Sequence, residues 1–262
     1  MTRRVLILIL LLSCSLSIVA RDRAVRHPGS IPIPASLLWI GAHPDDEAVV
    51  APLLSMWCRE EQVRCTFLVL TRGEAGACLR ADGCLPDVAT VRSGEAGAAS
   101  QLFNATSILL TLPDGGGVQA PHWPSDLATT IAGYIEAVRP EMILTFDPRH
   151  GTTCHPDHRE AARIVLDAVD RLQDRPDVYL LESRVNVSAD PFAIHFSPAT
   201  PAAERFEADP SQWEAILLDM QRHPSQFDGR YLDAIRNVPQ GERSVFLAPA
   251  STVLDLPVAS CP

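Results

Sequence analysis

The stretch LLWIGAHPDDE, residues 37–47, joins an apolar run to a group of side chains that bind metals well. The apolar residues 37–42 predict a buried strand, and Pro44 with the acids after it predicts the first turn of a helix. The string HPDH at residues 155–158 repeats this pattern, since it also follows an apolar run and precedes a helical one. The two strings are therefore expected at equivalent places in the fold.

Strand-like and helix-like segments alternate through the middle of the chain. The predicted strands cover residues 37–42, 65–71, 107–112, 142–146 and 178–181, and the predicted helices cover residues 44–59, 87–102, 125–138 and 156–172. Helices between strands imply right-handed crossovers, so the sequence predicts an α/β fold: a three-layer, Rossmann-like, mainly parallel sheet with helices on both faces. Beyond about residue 190 we expect one more helix, at 211–222, and a proline-rich tail.

Spacing within the two strings brings metal-ligand side chains together. Residues three apart share a helix face, so His43 and Asp46 can aim at one point, and His155 and His158 can do the same. In open parallel sheets ligands bind beyond the carboxyl ends of the strands, where both strings are expected. Imidazole nitrogen and carboxylate oxygen suit Zn²⁺ or a similar ion, and three protein ligands leave a position for water. Asp45 is then free to hold that water, which predicts a metal-dependent hydrolase.

An ordinary helix start is the alternative for each string taken alone, because proline and acids favour the first turn. That alternative does not explain a histidine directly before the proline in both strings. A covalent mechanism is disfavoured, since the chain has no Gly-x-Ser-x-Gly motif and no cysteine in surroundings that indicate a nucleophile.

The composition is that of an ordinary globular enzyme, with 262 residues, 47% of them hydrophobic and 21% charged. We expect one large domain, residues 37–262, without a second. All 22 basic residues are arginine, so no lysine is present to form a Schiff base, to serve as the cation of a phosphate-binding loop or to act as a general base. A net charge of −10 disfavours a nucleic-acid binder, whose affinity depends on clustered cations.

The N-terminus has the pattern of an export signal. Arg3 and Arg4 precede an apolar run at residues 5–20, and polar residues follow. We therefore interpret residues 1–20 as a signal peptide and residues 21–36 as a linker, and expect the protein to be exported. The alternatives are an anchor that keeps residues 5–20 in the membrane, or a lipid attached at Cys14.

The six cysteines beyond Cys14 agree with export, because an even number suits disulfides in an oxidising compartment. Cys78 and Cys84 flank a loop-like segment and form the favoured bridge. Cys58 and Cys65 flank a short charged connection and come second. Six free buried thiols are the alternative. The loop between Cys78 and Cys84 follows the second predicted strand, so it is expected near the mouth of the site.

The two strings and several shorter segments resemble the PIG-L/LmbE-like zinc-dependent de-N-acetylases, which remove acyl groups from N-acylated amino sugars. The motifs that carry the resemblance are GAHPDDE at 41–47, HPDH at 155–158, LTRGE at 70–74, RSGE at 92–95, LPD at 112–114, FDP at 146–148 and HPSQ at 223–226. The resemblance covers residues 37–227. It implies a small amino-sugar or glycoconjugate substrate and one Zn²⁺ per chain.

The resemblance also implies roles for individual residues. His43, Asp46 and His158 would hold zinc, Asp45 would be the general base and His155 would stabilise the tetrahedral intermediate. Arg92 and Asp114 would bind sugar hydroxyls. Some family members carry a tyrosine two residues before the histidine that matches His155, where this chain has Thr153.

Three further residues have more than one interpretation. Asp147 could orient His155 or line the sugar pocket, or it could form an ordinary turn at a strand end. Asp157 has the same ambiguity. His223 could reach the site from the C-terminal helix or simply end that helix.

Two other functions remain open for the same residues. One is an exported sugar-binding protein with a retained metal pocket, and the other is a metal-dependent phosphoesterase, which commonly holds two metals. The sequence predicts no nucleic-acid partner, and it favours no particular oligomeric state or acyl length.

Overall fold

A parallel α/β sheet dominates the computed structural model, which describes residues 31–117, 122–258 and 261, all of them within one compact unit, Ile31–Pro262. The strands are β1 (Ser36–Gly41), β2 (Arg64–Thr71), β3 (Thr106–Leu112), β4 (Met142–Phe146), β5 (Asp177–Leu181), β6 (Ser183–Ala189), β7 (Phe192–Pro198), β8 (Glu204–Glu207) and β9 (Ser244–Pro249). The helices are α1 (Ala51–Leu54), α2 (Val88–Leu102), α3 (Leu127–Val138), α4 (Gly151–Cys154), α5 (Pro156–Asp170), α6 (Pro210–Met220), α7 (Gly229–Arg236) and α8 (Ala250–Val253). A 3-10 turn, Asp46–Val50, precedes α1, and a π-helical stretch, Ser55–Glu60, follows it.

Among the described residues the main sheet has seven strands in the order β3-β2-β1-β4-β5-β9-β8. The five strands from β3 to β5 are parallel, and β9 and β8 complete the sheet with antiparallel pairings. The predicted three-layer, mainly parallel α/β fold is confirmed. The five predicted strands and five predicted helices each correspond to a helical segment or strand, with ends that differ by a few residues.

Alternating side chains of β1 build the cores on both faces of the sheet. Leu37 and Trp39 pack into a cluster that includes residues of α1 and α6, whereas Leu38 and Ile40 pack with residues of α3 and α5. A strand buried on both faces has no polar side, which is why this segment is continuously apolar. Each such aliphatic side chain contributes about 1.5–3 kcal/mol by its burial.

Strand order reverses between β1 and β4. The chain runs from β1 through β2 to β3 at one edge, and β4 and β5 lie on the other side of β1. In open α/β sheets the crevice beyond the carboxyl ends of two such strands is where ligands bind. The residues that follow Gly41 and those that follow Phe146 therefore enter the same crevice.

The C-terminal part differs from the prediction of one helix and a tail. The α6 helix is present, but β6 and β7 form a separate two-stranded hairpin, β8 and β9 extend the main sheet, and α7 and α8 add two short helices. A short apolar run such as β9 can be a strand or a helix segment, so sequence periodicity alone does not decide it.

Three disulfides join the six cysteines that the structure describes: Cys58–Cys65, Cys78–Cys84 and Cys154–Cys261. The two predicted bridges are confirmed, and the alternative of six free thiols is wrong. The third bridge was not predicted from the sequence. It ties the chain near its C-terminus to the residue directly before His155.

The predicted signal segment and most of the predicted linker lie outside the described residues. Within the described ranges, no helix is both long enough and apolar enough to cross a membrane.

Candidate metal centre

The first string turns sharply as β1 ends. Asp46 Oδ2 accepts hydrogen bonds from the backbone N–H groups of Ala42 at 2.7 Å and His43 at 2.8 Å. A Cβ on Gly41 would stand 3.1 Å from the Asp46 Cβ, so glycine lets this carboxylate fold back against the strand end. Asp45 adopts a left-handed conformation, with φ of 105°, which is costly for a residue with a side chain. Such strain is typical of functional sites.

The second string does not follow β4 directly, because residues 147–150 and α4 lie between them. His155 is the N-cap of α5, and Pro156 occupies the first helical turn, where its missing N–H costs nothing. His158 lies one turn into the helix. Its Nδ1 is 3.0 Å from the carbonyl oxygen of Gly151, so Nδ1–H donates there and Nε2 is left as an acceptor.

Three ligand-type atoms from the two strings form a compact triangle. His158 Nε2 lies 2.9 Å from Asp46 Oδ1 and 3.3 Å from His43 Nδ1, and His43 Nδ1 lies 3.7 Å from Asp46 Oδ1. Zinc bonds of about 2.0–2.2 Å place the ligand atoms of a tetrahedral site about 3.3 Å apart. The triangle therefore has the dimensions of three ligands of one zinc ion.

Two further carboxylates lie near the second ring nitrogen of His43. Its Nε2 lies 3.1 Å from Asp157 Oδ2 and 3.5 Å from Asp114 Oδ1. Burial alone would lower the pKa of His43, but hydrogen bonds with Asp114, Asp157 and Asp46 outweigh burial and raise that pKa well above its ordinary value. The concentration of buried carboxylates is what a divalent cation would neutralise. A carboxylate on the far nitrogen of a ligand histidine is also the common way to orient such a ligand.

Arg92 holds Asp45 in place. Its Nη2 donates to Asp45 Oδ1 at 2.8 Å and to the carbonyl oxygen of Pro44, and its Nη1 donates to the carbonyl oxygen of Gly73 at 2.9 Å. Burial raises the pKa of Asp45 and outweighs the opposing charge of Arg92. Arg92 lines the cavity as predicted for a sugar-binding residue, yet these hydrogen bonds go to protein groups.

His155 lies beside the triangle, with a nitrogen within 4.8 Å of ligand atoms of His43 and His158. Its Nδ1 accepts the backbone N–H of Asp157 at 3.2 Å, so in the neutral ring the hydrogen is on Nε2. Burial, then the charges of His158 and His43, lowers the pKa of His155 to about 4. The ring is therefore neutral at pH 7 and offers Nε2–H as a donor.

The remaining predicted site residues differ in their distance from the cavity and from His43. Asp157 Oδ2 accepts the Gly115 N–H at 2.8 Å in addition to its contact with His43. Asp114 lines the cavity and accepts the Ala75 N–H at 3.1 Å. Asp147 neither lines the cavity nor contacts His155, because it pairs with Arg149 in a buried cluster with Glu182 and His150. His223 is fully buried and also lies behind the cavity wall.

Glu47 is a residue whose part sequence reasoning missed. Its Oε2 accepts the backbone N–H of Asp45 at 3.2 Å, and its Oε1 lies 2.9 Å from His223 Nε2. Burial alone would lower the pKa of His223, but the charge of Glu47 outweighs burial and raises it to about 9. Glu47 thus bonds to the backbone of the strained Asp45 and to a charged histidine from the C-terminal half. Its place directly after the HPDD motif was the available signal.

A cavity of 550 Å³ opens over the triangle, a volume in the range of about 300–1,000 Å³ that small-molecule sites occupy. His43, Asp45, Asp46, His155 and His158 all line it, and so does Thr153. Ala75, Gly76 and Ala77, from the loop that precedes Cys78, form part of its wall. Residues 78–84, predicted near the mouth of the site, do not themselves line the cavity, and only the segment directly before them does.

A comparison with protein families identifies the family in which these motifs occur. The family model PIG-L, described as GlcNAc-PI de-N-acetylase, matches residues 38–169, which is half of the chain and includes both strings. The chain belongs to the PIG-L family. The predicted resemblance is therefore confirmed, and neither the sugar-binding nor the phosphoesterase alternative receives support from the comparisons.

Two relatives that match this chain in sequence are named as amino-sugar deacetylases. A 1D-myo-inositol 2-acetamido-2-deoxy-alpha-D-glucopyranoside deacetylase from Acidothermus cellulolyticus is 30% identical over 165 residues, which are 53% of this chain and 54% of that protein. The chain thus spans about half the length of this relative. A protein of the same name from Thermobifida fusca is 29% identical over 240 residues, covering 72% of this chain and 82% of the relative.

Solved structures bear out the fold of this PIG-L chain. The N,N'-diacetylchitobiose deacetylase from Pyrococcus horikoshii superposes with a TM-score of 0.64 at 14% identity, over 82% of this chain and 84% of that one. At this identity the likeness establishes the architecture alone.

Proposed function

We propose that this PIG-L chain is a metal-dependent hydrolase that removes an N-acyl group from an amino sugar or glycoconjugate, with one Zn²⁺ per chain. The observation that carries the proposal is the triangle of His43 Nδ1, Asp46 Oδ1 and His158 Nε2, with sides of 2.9–3.7 Å, on the wall of a cavity that Asp45 also lines. Two imidazoles and a carboxylate are the ligand set of several catalytic zinc sites.

The charge of the ligand residues, as well as the spacing of their ligand atoms, suits a zinc ion. Asp46 is buried, yet the charges and hydrogen bonds of His158 and His43 hold its pKa well below the ordinary value, so it is ionised. A zinc ion bound there would supply Lewis-acid activation of a water molecule and of the amide carbonyl.

Asp45 and His155 would perform the proton chemistry. Asp45 accepts the proton that the attacking water loses, with its carboxylate fixed by Arg92 and its backbone by Glu47. His155 donates Nε2–H to the oxygen of the tetrahedral intermediate, because Nδ1 is already engaged by a backbone N–H. Asp45 then returns this proton to the nitrogen as the C–N bond of the amide breaks, and a carboxylic acid and a free amine leave.

The decisive experiment incubates zinc-loaded protein with N-acylated amino sugars and follows the release of free amine. We expect turnover by the wild type. Asp45→Ala should keep the metal and lose activity, whereas Asp46→Ala should lose both. His155→Ala should cost about 10²–10⁴ in rate with the metal retained. Loss of metal from Asp45→Ala as readily as from Asp46→Ala would refute the assigned roles.

We also propose that the protein is exported. The apolar segment at residues 5–20 and the three disulfides support this proposal. Peptide mapping without reductant, on protein from the native host, should recover linked Cys78 and Cys84 peptides. Recovery of both cysteines as free thiols would contradict export.

A further inference from the structure

The β6–β7 hairpin has one apolar face. Val185 lies directly opposite Phe196, and Val187 lies opposite Ile194, so these four side chains share a face of the antiparallel pair. The residues between them, Asn186 and His195 among them, are exposed on the opposite face. Such alternation is typical of a pair of strands that packs one face against an apolar surface.

What this face covers is the cavity of the candidate metal centre. All four of these side chains line that cavity. Apolar residues of α6, α7 and the turn between them also line it: Ile216, Met220, Phe227, Tyr231 and Ile235. One part of the wall thus consists of nine apolar or aromatic side chains, and Tyr231 alone among them carries a polar group.

A sugar ring is a poor occupant of this apolar part. Each buried sugar hydroxyl needs a hydrogen-bond partner, and without one its burial is unfavourable. Apart from Gln226 beside Phe227, the polar side chains that line the cavity belong to other segments of the chain: Arg92, Asp114, Thr152, Thr153 and the two metal-ligand strings. An acetyl group would fill little of the apolar part, since a methyl group is about as large as a water molecule, about 30 Å³.

The apolar wall begins beside the metal centre itself. The ring of Phe146, which lines the cavity, stacks on the His158 ring with centroids 4.1 Å apart and planes 2° apart. In the proposed reaction the acyl carbon is attacked next to His158, so the acyl chain starts at this point. A chain bonded to that carbon would extend along an apolar surface from its first methylene.

We propose that the substrate carries an aliphatic N-acyl chain longer than acetyl, and that the apolar face of the β6–β7 hairpin and the cavity-lining side chains of α6 and α7 bind it. This inference rests on the proposed function and adds its substrate class. Hydrolysis then forms a C–O bond from water to the acyl carbon, breaks the C–N bond, transfers a proton of that water to the nitrogen, and releases a fatty acid and a free amino sugar.

A chain-length series tests the inference. The kcat/KM for glucosamine N-acylated with acetyl, butanoyl, hexanoyl and octanoyl groups should rise with length, by up to about fourfold for each methylene removed from water. At least a tenfold gain from acetyl to hexanoyl is expected. Octyl N-acetylglucosaminide carries an alkyl chain of similar length on the sugar oxygen instead of the nitrogen. It should show no comparable gain, and a larger gain there would overturn the assignment to the acyl chain.

A matched pair of charge substitutions on one strand locates the binding surface. Val187→Asp should lower the octanoyl-to-acetyl ratio of kcat/KM at least tenfold, because it places a carboxylate on the apolar face. Asn186→Asp adds the same charge on the exposed face of β6 and should leave that ratio unchanged. Val187 is itself 51% exposed, so its substitution should not prevent folding. Equal ratios in both variants and the wild type would refute the inference.

Binding measurements on an inactive variant can refute this inference and the proposed function separately. Calorimetry with zinc-loaded Asp45→Asn should give a lower Kd for N-octanoylglucosamine than for N-acetylglucosamine. Chain-dependent binding without turnover by the wild type would refute the proposed hydrolysis and keep the chain site. Turnover of the acetyl compound without a chain-length effect on rate or binding would refute the chain site alone.

Discussion

The Cys154–Cys261 bridge should contribute far more to stability than the bridge that was easiest to predict. Its cysteines are 107 residues apart in sequence, whereas Cys78 and Cys84 are six apart. A disulfide stabilises mainly by restricting the unfolded chain, and the restriction grows with the logarithm of the loop it closes. At 25 °C the chain-entropy relation gives about 4.8 kcal/mol for the long loop and about 2.2 kcal/mol for the short one.

The test compares Cys154→Ser/Cys261→Ser with Cys78→Ser/Cys84→Ser by urea unfolding without reductant. The first double variant should lose about 2.6 kcal/mol more unfolding free energy than the second. It should also lose activity under conditions where it stays folded, because the bridge adjoins the turn whose Gly151 carbonyl accepts the Nδ1–H of His158. Equal losses in the two double variants, or a greater loss from the short loop, would refute this reasoning.

Three further predictions concern residues around the metal centre. Gly117→Ala should lower kcat while the metal is retained, because Gly117 has φ of +76° and a Cβ there would stand 2.9 Å from His155 Nε2. An unchanged kcat in this variant would contradict the role given to His155. Asp157→Asn should weaken zinc binding by about 10- to 100-fold, whereas the exposed Asp167→Asn on the same helix should not. The folded-state pKa of His223, about 9, exceeds its unfolded value of about 6.5, so its stabilisation is complete below pH 6.5 and lost as pH rises through 9. The unfolding free energy of metal-free protein should fall by about 3 kcal/mol over that range, and a flat profile would contradict the ion pair with Glu47.

Local patterns explain what the sequence could predict. His43 and Asp46 are three residues apart after a continuously apolar strand, so their convergence follows from backbone periodicity. His158 joins them because parallel strands bring their carboxyl ends to one edge of the sheet. The same rules predicted the five strands from β1 to β5 and the helices between them.

What the sequence could not predict depends on contacts between distant residues. Glu47 and His223 are 176 residues apart, and no spacing rule connects them. The partner of Cys154 lies near the end of the chain, so pairing by sequence proximity could not find it. In the β6–β7 hairpin the alternation of Val185 and Val187 with polar residues is present, but two valines among polar neighbours form a weak signal.

The central claim, a single metal ion that His43, Asp46 and His158 hold for deacylation, is tested most directly by adding Zn²⁺ stepwise to metal-free protein. Free-amine release from an N-acylated glucosamine should increase in proportion to added zinc and reach its maximum at one ion per chain. The Asp46→Ala variant should show no such increase. A maximum at two ions per chain, or full activity without any added or bound metal, would contradict the account.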